Sequence, residues 1–372
     1  MIRMDVHLKK YGNFTLAYTI ISDKGRGLHH FKTEEGLIGY GVHKNLRLML
    51  GDPLCSQENI KSLVEDFLDD SKRNEKKVVG VQSGSNTANV FSEYGFDATH
   101  MGVETILNVQ DFDLKGKKKT KLRRWINTAK NAGIHVVEDT FNNCDCLEDT
   151  MKISEDWFNS KINKNELALM TRKEKFEDEE DTRKFFAYNN ESLVGYIVFD
   201  PIYENEEIAG YYADICRTNP RSPNGTIDLI IDEARKSFQK EDIKKLSLGI
   251  SPLAETNNEH KLNNSLMHFI LRSNYYFGNK MYSFKGLEFH KKAYHDGVQT
   301  YREPKFYITK GKAPVFDLLN TFSYIGIIPN NGFLGSVGYV ASCMSSEFYD
   351  LIKKQASKLS LIKKEDNSTK NL

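Results

Sequence analysis

The sequence is poor in the features that mark specialised classes of protein. Its 372 residues include five cysteines, and 52 basic residues against 51 acidic ones leave a formal net charge of +1. An odd number of cysteines excludes a fully paired disulfide scaffold. Cys144 and Cys146 form a Cys-x-Cys pair, but no His or second Cys pair completes a tetrahedral set, so we expect no metal site. A polyanionic partner would have to be bound by a local basic patch, because the chain as a whole is nearly neutral.

The sequence also lacks an uninterrupted apolar run of ~20 residues, the length that a membrane-spanning helix needs. Its first residues, MIRMDVHLKKYGNF, contain no apolar core of a signal peptide. The longest apolar stretch, residues 322–344, is interrupted by PNNG, which predicts a buried apolar hairpin or two short elements. An interfacial membrane contact is the alternative. We therefore expect a cytoplasmic protein, with peripheral attachment to the inner face of the membrane as the second option.

Hydrophobic periodicity predicts a similar order of elements twice along the chain. Each half begins with two strands joined by a polar turn and continues with alternating helices and strands, at 36–112 and again at 184–310. This β-β-α-β-α-β order predicts an α/β (α+β) fold with two acyltransferase-like domains side by side. We place these domains at 1–133 and 134–310, followed by a C-terminal extension at 311–372 with the apolar hairpin and a polar tail.

The segment 115–133, KGKKKTKLRRWINTAKNAG, is the strongest local signal. Eight of the sixteen residues 115–130 are basic, and no acidic residue occurs from 114 to 137. Leu122, Ile126 and Ala129 form a narrow apolar stripe at helical spacing, and Gly133 is a suitable residue for the helix end. A solvated helix face is the simplest explanation of such a run. Because repulsion between like charges costs helix stability, we favour a phosphate-rich partner, either nucleic acid or anionic lipid headgroups.

Three further segments carry polar residues at the ends of predicted elements. In 210–234, GYYADICRTNPRSPNGTIDLIIDEA, a strand ending in Asp214 and Arg217 leads through a turn into a helix, where backbone N–H groups favour an anion. An ordinary strand–turn–helix connection explains this segment equally well. The strand LSLGISPLAE ends in Ser251-Pro252, and 282–308 is rich in Lys, His and Tyr, which is typical of a solvated loop or of a polar site.

Six segments, in order, resemble the DUF2156 family, which includes the catalytic domain of phosphatidylglycerol lysyltransferases, the multiple peptide resistance factors. The segments are LMLGDPL, MGVETILNVQDF, DLKGKKKTKLRRWINTAKNAG, DICRTNPRSPNGTIDLII, LSLGISPLA and FKGLEFHKKAY. They cover roughly residues 11 to 310. Two features depart from the pattern that the family shows: His290 stands where the family has a first Lys, and we expect no multi-span flippase region within this sequence, whereas full-length lysyltransferases carry one ahead of the catalytic domain.

The resemblance implies two GNAT-like domains with a basic helix between them. It implies an aminoacyltransferase that moves an amino acid, lysine or a similar one, from charged tRNA to a hydroxyl of phosphatidylglycerol or a related lipid, with no cofactor besides the aminoacyl-tRNA donor. The implied catalytic residues are Asp214, Arg217, Lys292 and Glu104, and the implied substrate-binding residues are Asn224, Asp228, Ser251 and Lys291, the last as the rival of Lys292. The implied tRNA-binding residues are Lys117, Lys118, Lys119, Lys121, Arg123, Arg124 and Asn127.

Two other functions remain open from the sequence. The same fold serves CoA-dependent N-acyltransferases that act on small molecules, although RTNPRSPNGT has one Gly where a pyrophosphate loop usually has two. A non-catalytic module that binds RNA or membranes is the third option.

Overall fold

The structure, a computed structural model, describes residues 6–23, 27–143, 146–162, 164, 167–256, 264–311 and 314–369. After residue 353 it describes the backbone alone. Cys144, one half of the Cys-x-Cys pair, lies outside the described residues.

Helices and strands alternate through most of the described chain. The helices are α1 (Val6–Tyr11), α2 (Ala17–Ser22), α3 (Ile60–Arg73), α4 (Ser85–Glu93), α5 (Thr120–Asn131), α6 (Leu147–Asn159), α7 (Thr226–Lys240), α8 (Ser265–Phe277), α9 (Phe284–Lys292), α10 (Pro314–Ile325) and α11 (Gly332–Thr369). The strands are β1 (Leu28–Lys32), β2 (Gly36–His43), β3 (Leu46–Leu50), β4 (Leu54–Cys55), β5 (Lys77–Ser83), β6 (Asp97–Asn108), β7 (Ile134–Glu138), β8 (Arg183–Asn189), β9 (Ser192–Glu204), β10 (Glu207–Thr218), β11 (Lys245–Pro252) and β12 (Thr300–Thr309).

All described strands belong to one mixed sheet. Its order is β1-β2-β3-β5-β12-β6-β11-β10-β9-β8-β7, and the short β4 pairs with β2. In each half an antiparallel hairpin feeds a parallel pair through a helix: β2 and β3 lead through α3 to β5, and β9 and β10 lead through α7 to β11. This arrangement confirms the predicted α/β class and the repeated order of elements.

The two halves exchange their last strands at the centre of the sheet. Strand β12, from the second half, lies between β5 and β6, while β6, from the first half, pairs with β11. The sheet is therefore continuous across the two halves. The domain boundary at residue 133 stays a prediction, because it follows the order of the chain whereas the sheet does not separate there.

The basic helix α5 connects the halves along the chain and packs on the second half. Leu122, Ile126 and Ala129 are fully or almost fully buried in the core that α5 shares with α7, which confirms the predicted apolar stripe. Gly133 has a φ of +83°, a conformation that glycine adopts without the steric cost of a Cβ, and the helix ends two residues before it.

The C-terminal extension differs from the prediction. The apolar stretch 322–344 was expected to form a buried hairpin or two short elements, but it contains the end of α10 and the first third of the long helix α11. The interruption at PNNG lies between the two helices: the first ends at Ile325, where Gly326 follows with a φ of +93°, and the second begins at Gly332, which has a φ of +72°. The segment predicted as a polar tail belongs to α11 as far as Thr369.

Candidate active site at the centre of the sheet

The candidate site lies where β10 and β11 separate. Their parallel pairing covers only Gly210 to Tyr212 on β10 and Lys245 to Ser247 on β11. Beyond that point β10 continues to Thr218 along β9, and β11 continues to Pro252 along β6. Gly249 contributes to the separation with a φ of +73° and a close approach to the ring of Tyr212. The facing backbone edges of β10 and β11 thereby become available to a ligand.

Glu104 lies on β6 beside this opening and is 2% exposed. Its carboxylate contacts the Lys305 ammonium of β12 at 2.8 Å and accepts hydrogen bonds from the hydroxyls of Ser247, at 2.5 Å, and Thr15. Burial by itself would raise the pKa of Glu104, but Lys305 and the two hydroxyls hold it below its usual range. Glu104 is therefore an ionised, preorganised carboxylate in the interior.

Lys291, and not Lys292, reaches the interior. In α9 the residues Phe284, Glu288 and Lys291 share one buried face at helical spacing. The Lys291 ammonium donates to the backbone oxygen of Ile250 on β11 at 2.6 Å. Burial lowers the pKa of Lys291 to about 8. The side chain of Lys292 is 63% exposed and has Glu288 at 3.9 Å, so of the two rival lysines the structure places only Lys291 in the interior, and the catalytic role of either stays a prediction.

Asp214 contacts a buried arginine, Arg172. Arg172 lies in the loop between α6 and β8; its backbone N–H donates to Asp214 at 3.2 Å, and its guanidinium Nε is 3.8 Å from the same carboxylate. The Arg172 guanidinium also makes hydrogen bonds of 2.8–3.0 Å to Asp200 and an ion pair of 2.6 Å to Glu179. Although burial opposes its charge, these carboxylates raise the pKa of Arg172 well above its usual range. Arg172 is thus a permanent cation that fixes the position of Asp214.

Arg217 stands at the end of β10 and is 2% exposed. Its guanidinium lies 4.1 Å from the ring centre of Trp157 and 4.9 Å from that of Phe158, both on α6. Stacking of this kind holds an arginine in place, and the Arg217 Nη1 also donates to the backbone oxygen of Cys216 at 3.1 Å. The nearby Lys161 has its pKa lowered by burial and by the charge of Arg217.

These side chains interact electrostatically across the opening. Cys216 lies among Arg217, Lys291 and Asp214, and burial raises the pKa of its thiol to about 12. Lys291 in turn interacts with Glu104. We call Glu104, Asp214, Arg217 and Lys291 the central cluster. Two carboxylates and two cations in a buried cluster form the kind of arrangement that binds and polarises a charged substrate.

Two pockets are lined by residues that contact the central cluster. One, of about 510 Å³, has a largely apolar lining that includes Trp157, Phe158, Leu287 and His290. The other, of about 430 Å³, is bordered by Asp52, Thr87, Glu303 and Lys305. Lys305 also borders a small cavity of about 10 Å³ that contains Glu104. We call these the apolar pocket and the polar pocket.

The predicted substrate-binding residues are distributed differently. Asp228, in the first turn of α7, accepts hydrogen bonds from Tyr294 at 2.7 Å and from His290 at 2.9 Å, so it fixes the C-terminal end of α9. Asn224 is exposed in the loop before α7. Ser251 is fully buried on β11, and its hydroxyl has no hydrogen-bond partner among the described residues. Ser251 and Lys291 thus lie at the opening, Asp228 joins α7 to the end of α9, and Asn224 is exposed, while their roles in substrate binding stay predictions.

The predicted tRNA-binding residues of the basic segment differ in exposure and in their contacts. Lys119 is 1% exposed and pairs with Asp296 at 3.3 Å, so it is not available to a surface ligand and its assignment is corrected. Arg123 donates to the backbone oxygens of Leu114 and Gly116. Five residues remain exposed on one side of the segment: Lys117, Lys118, Lys121, Arg124 and Asn127.

Trp125 is half-buried and packs towards α9 and the start of α7. Its ring stacks on His290 with 5.8 Å between ring centres, and its backbone oxygen approaches Gly225 so closely that a Cβ there would lie 2.0 Å away. Trp125 therefore joins α5 to the start of α7 and to the rim of the apolar pocket.

Arg172, Asp200 and Lys305 were missed by sequence reasoning. Asp200 stands in the apolar strand segment YIVFDPIY, where a buried carboxylate needs a cation, and this was the available signal. Arg172 gave no local signal, because it lies in the charged segment 171–184 and its burial depends on packing between distant elements.

Among the described residues, no cluster of three His, Cys, Asp or Glu side chains is arranged to hold a metal ion. The described helices include none that is both long and apolar enough to cross a bilayer.

Comparison with known families identifies the chain. The family model described as "Phosphatidylglycerol lysyltransferase, C-terminal" matches residues 6–307. The chain belongs to this family. The match includes all strands of the sheet except the last two residues of β12, and it ends before α10, so the C-terminal extension lies outside the part shared with the family.

Named relatives and solved structures agree with this membership. The phosphatidylglycerol lysyltransferase of Bacillus subtilis is 25% identical over 224 residues, which are 59% of this chain and 25% of that protein. The protein of the same name from Staphylococcus haemolyticus is 22% identical over 306 residues, which are 81% of this chain and 34% of that protein. The chain thus spans about a quarter to a third of these relatives.

Two solved structures share the fold. The structure of L-PGS from Bacillus licheniformis has a TM-score of 0.68 at 18% identity and covers 86% of this chain and 95% of that chain. The C-terminal domain (DUF2156) of a lysylphosphatidylglycerol synthetase described as putative, from Agrobacterium fabrum, has a TM-score of 0.66 at 17% identity and covers 85% of this chain and 93% of that chain. The predicted family and fold are confirmed.

Proposed function

We propose that the chain is an aminoacyltransferase that moves an amino acid from charged tRNA to a hydroxyl of phosphatidylglycerol or a related anionic lipid. The observation that carries this proposal is the central cluster, which lies at the opening between β10 and β11 in a member of the phosphatidylglycerol lysyltransferase C-terminal family. The names of the relatives from Bacillus subtilis and Staphylococcus haemolyticus give the same activity.

The proposed reaction needs no activation step, because the aminoacyl ester of the tRNA is already activated. A lipid hydroxyl oxygen attacks the ester carbonyl carbon, the bond between this carbon and the ribose oxygen breaks, and the proton of the hydroxyl ends on the released ribose oxygen. The protein has to deprotonate the hydroxyl, stabilise the oxyanion and hold both substrates. For these reasons we assign no metal and no cofactor to the reaction.

The environments of the central residues suit different tasks. Lys291, with a pKa of about 8, is neutral in about a tenth of molecules at pH 7, so it is suited to exchange a proton with the hydroxyl. Arg217 is always charged and is suited to stabilise the oxyanion or the lipid phosphate. Glu104 and Asp214 are suited to bind the ammonium group of the aminoacyl residue.

The exposed side of α5 is suited to bind the tRNA. Lys117, Lys118, Lys121 and Arg124 present positive charge to solvent, and phosphate binding by such groups depends strongly on salt. Through Trp125 and His290 this surface adjoins the apolar pocket, so a tRNA bound there has its acceptor end close to an entrance.

The alternative, a CoA-dependent N-acyltransferase, has less support. A pyrophosphate would be expected at the N-terminus of α7, where free backbone N–H groups bind anions. In this chain the backbone of Trp125 lies against Gly225 at that position, and Asp228 places a carboxylate in the first turn.

The proposal is tested with the purified chain, tRNA charged with a labelled amino acid, and detergent-dispersed phosphatidylglycerol. We expect label in the lipid fraction, and we expect Asp214→Asn and Lys291→Met to lower the rate by at least about a hundredfold, as losses of proton-transfer and charge-stabilising groups usually do. Lys292→Met is the matched control and should retain the rate. Wild-type rates in both central variants would refute the assignment.

A further inference from the structure

The C-terminal extension has an exposed surface of unusual composition. Residues 318–346 contain no charged side chain. Within this range α11 has one side that packs on the protein and another that faces solvent, and a solvent-facing helix side normally carries charges. Here it carries apolar groups instead: Leu334 is 82% exposed and Val337 is 39% exposed.

The exposed apolar groups continue along neighbouring turns and helices. Phe316 of α10 stacks on Phe333 of α11 with ring centres 4.3 Å apart, yet both rings remain about half exposed. Further along α11, Tyr349 and Ile352 are 65% and 51% exposed. We call Phe316, Phe333, Leu334, Val337, Tyr349 and Ile352 the C-terminal apolar surface.

The sequence becomes rich in lysine towards the end of this surface. Residues 351–364, LIKKQASKLSLIKK, contain five lysines and no acidic residue, and the backbone of α11 continues through them. Alternating apolar and basic residues on a helix are typical of segments that lie in the interface of an anionic membrane. The described helices are not apolar enough to cross a bilayer, so a contact in the plane of the interface is the arrangement that fits both properties.

The surface is also connected to the candidate active site. The Glu347 carboxylate of α11 accepts hydrogen bonds from the Asn279 backbone at 2.7 Å and from its side chain at 3.0 Å. Asn279 in turn accepts a hydrogen bond from Lys285 in the first turn of α9, the helix that carries Lys291. Tyr282 and Ser283, in the same short segment, line the apolar pocket. A bilayer in contact with α11 would therefore lie close to α9, the helix that carries Lys291 and lines part of the apolar pocket.

We propose that the C-terminal apolar surface and the lysine-rich end of α11 dock the protein on an anionic phospholipid bilayer. Apolar side chains enter the interface, and the lysines bind the negative headgroups. The docking deepens the proposed function, on which it rests for the identity of the lipid, because it brings the enzyme to a substrate that does not leave the membrane. The surface lies outside the residues 6–307 that the family model matches.

Vesicle co-sedimentation without tRNA tests the docking. The full chain is mixed with vesicles of phosphatidylcholine alone or of phosphatidylcholine with phosphatidylglycerol. We expect binding to the phosphatidylglycerol vesicles, weaker binding to the neutral ones, and a loss of binding as salt screens the lysines. The double variant Leu334→Asp, Val337→Asp should lower binding by about tenfold or more, because both side chains would have to enter the interface.

Val298→Asp is the matched control, because Val298 is 89% exposed in the loop before β12, outside the C-terminal apolar surface. Replacement of Lys353, Lys354 and Lys358 by Gln should reduce binding to the anionic vesicles and leave the weak binding to neutral ones. Unchanged binding of the Asp double variant would overturn the proposal. So would self-association of the wild type that the double variant abolishes, with no vesicle binding, since the surface would then join two copies of the chain.

The rate of aminoacyl transfer to lipid distinguishes the docking proposal from the proposed function. The Asp double variant should aminoacylate detergent-dispersed phosphatidylglycerol at the wild-type rate but vesicle phosphatidylglycerol at least about tenfold more slowly. Equal rates of the two proteins on vesicles would refute the docking alone. A wild type that binds vesicles but transfers nothing in either format would refute the proposed function and leave the docking intact.

Discussion

Substitution of Lys291 by Met tests whether the buried Lys291 ammonium is needed for activity or for stability. Lys291 is 9% exposed, and burial lowers the pKa of its ammonium from about 10.5 to about 8. At ~1.4 kcal/mol for each pKa unit, keeping this group charged inside the protein costs roughly 3 kcal/mol at neutral pH. The hydrogen bond to the Ile250 backbone offsets about 1–2 kcal/mol of that cost.

Lys291→Met removes the cost and nearly keeps the volume of the side chain. We therefore expect the variant to lose aminoacyl transfer while its free energy of unfolding at pH 7 stays level or rises by about 1–2 kcal/mol. A lysine with a lowered pKa destabilises the fold below that pKa, and the penalty disappears as pH rises from about 8 towards the unfolded value near 10.5. The advantage of the variant over the wild type should shrink over this range.

Urea unfolding of the wild type, Lys291→Met and Lys292→Met at pH 7 and pH 9.5 measures these differences. Lys292→Met should match the wild type at both values, because its ammonium is exposed. The reasoning would be refuted if Lys291→Met were destabilised by several kcal/mol equally at both values, or if it retained full transfer activity.

The remaining predictions concern three other sets of charges. Arg172→Met should lower the free energy of unfolding by about 3–5 kcal/mol in urea titrations, because it leaves Asp200 and Asp214 without their buried cation. Glu104→Gln should lower transfer by at least about tenfold in the lipid assay. The wild-type Glu104 carboxylate has a lowered pKa in the folded state, so it stabilises the fold at pH values above the usual carboxyl pKa. The difference in free energy of unfolding between the wild type and Glu104→Gln should therefore vanish as pH falls through that lowered pKa. Lys121→Ala with Arg124→Ala should weaken tRNA binding by about tenfold in filter binding and reduce the salt slope by up to about 2.

Each of these predictions has a control and a contrary result. Lys72→Ala, on the exposed side of α3, should leave tRNA binding and its salt slope unchanged. A loss of less than about 1 kcal/mol for Arg172→Met would mean that the buried carboxylates are not held as described. An unchanged salt slope in the α5 double variant would place the tRNA elsewhere.

The sequence was sufficient for features that depend on local periodicity. Leu122, Ile126 and Ala129 recur at helical spacing, and their burial follows from that spacing once one side of α5 meets the protein. The alternation of strand and helix signals was sufficient for the α/β class. Family resemblance was needed for Glu104 and Asp214, since a single acid in a strand does not reveal its role.

Other features depend on contacts between distant parts of the chain. Adjacent lysines at 291 and 292 differ by about 100° around the helix, and only the packing of α9 on β11 decides which one enters the interior. Lys119 and Arg123 appeared to be free charges, because their partners Asp296 and the oxygens of the preceding loop are fixed by the tertiary fold. The exchange of β6 and β12 between the halves left no local trace, because a strand has the same pattern whichever neighbours it has.

The proposed activity is the transfer of an aminoacyl group to lipid at the central cluster. Its most direct test is the extraction of lipids after incubation of the purified chain with tRNA charged with labelled lysine and with phosphatidylglycerol, followed by separation of the labelled species. We expect a labelled phosphatidylglycerol ester that the wild type and Lys292→Met produce and that Asp214→Asn does not. Label that stays on the tRNA with lysine and with other amino acids, together with consumption of acetyl-CoA by the same protein, would contradict it.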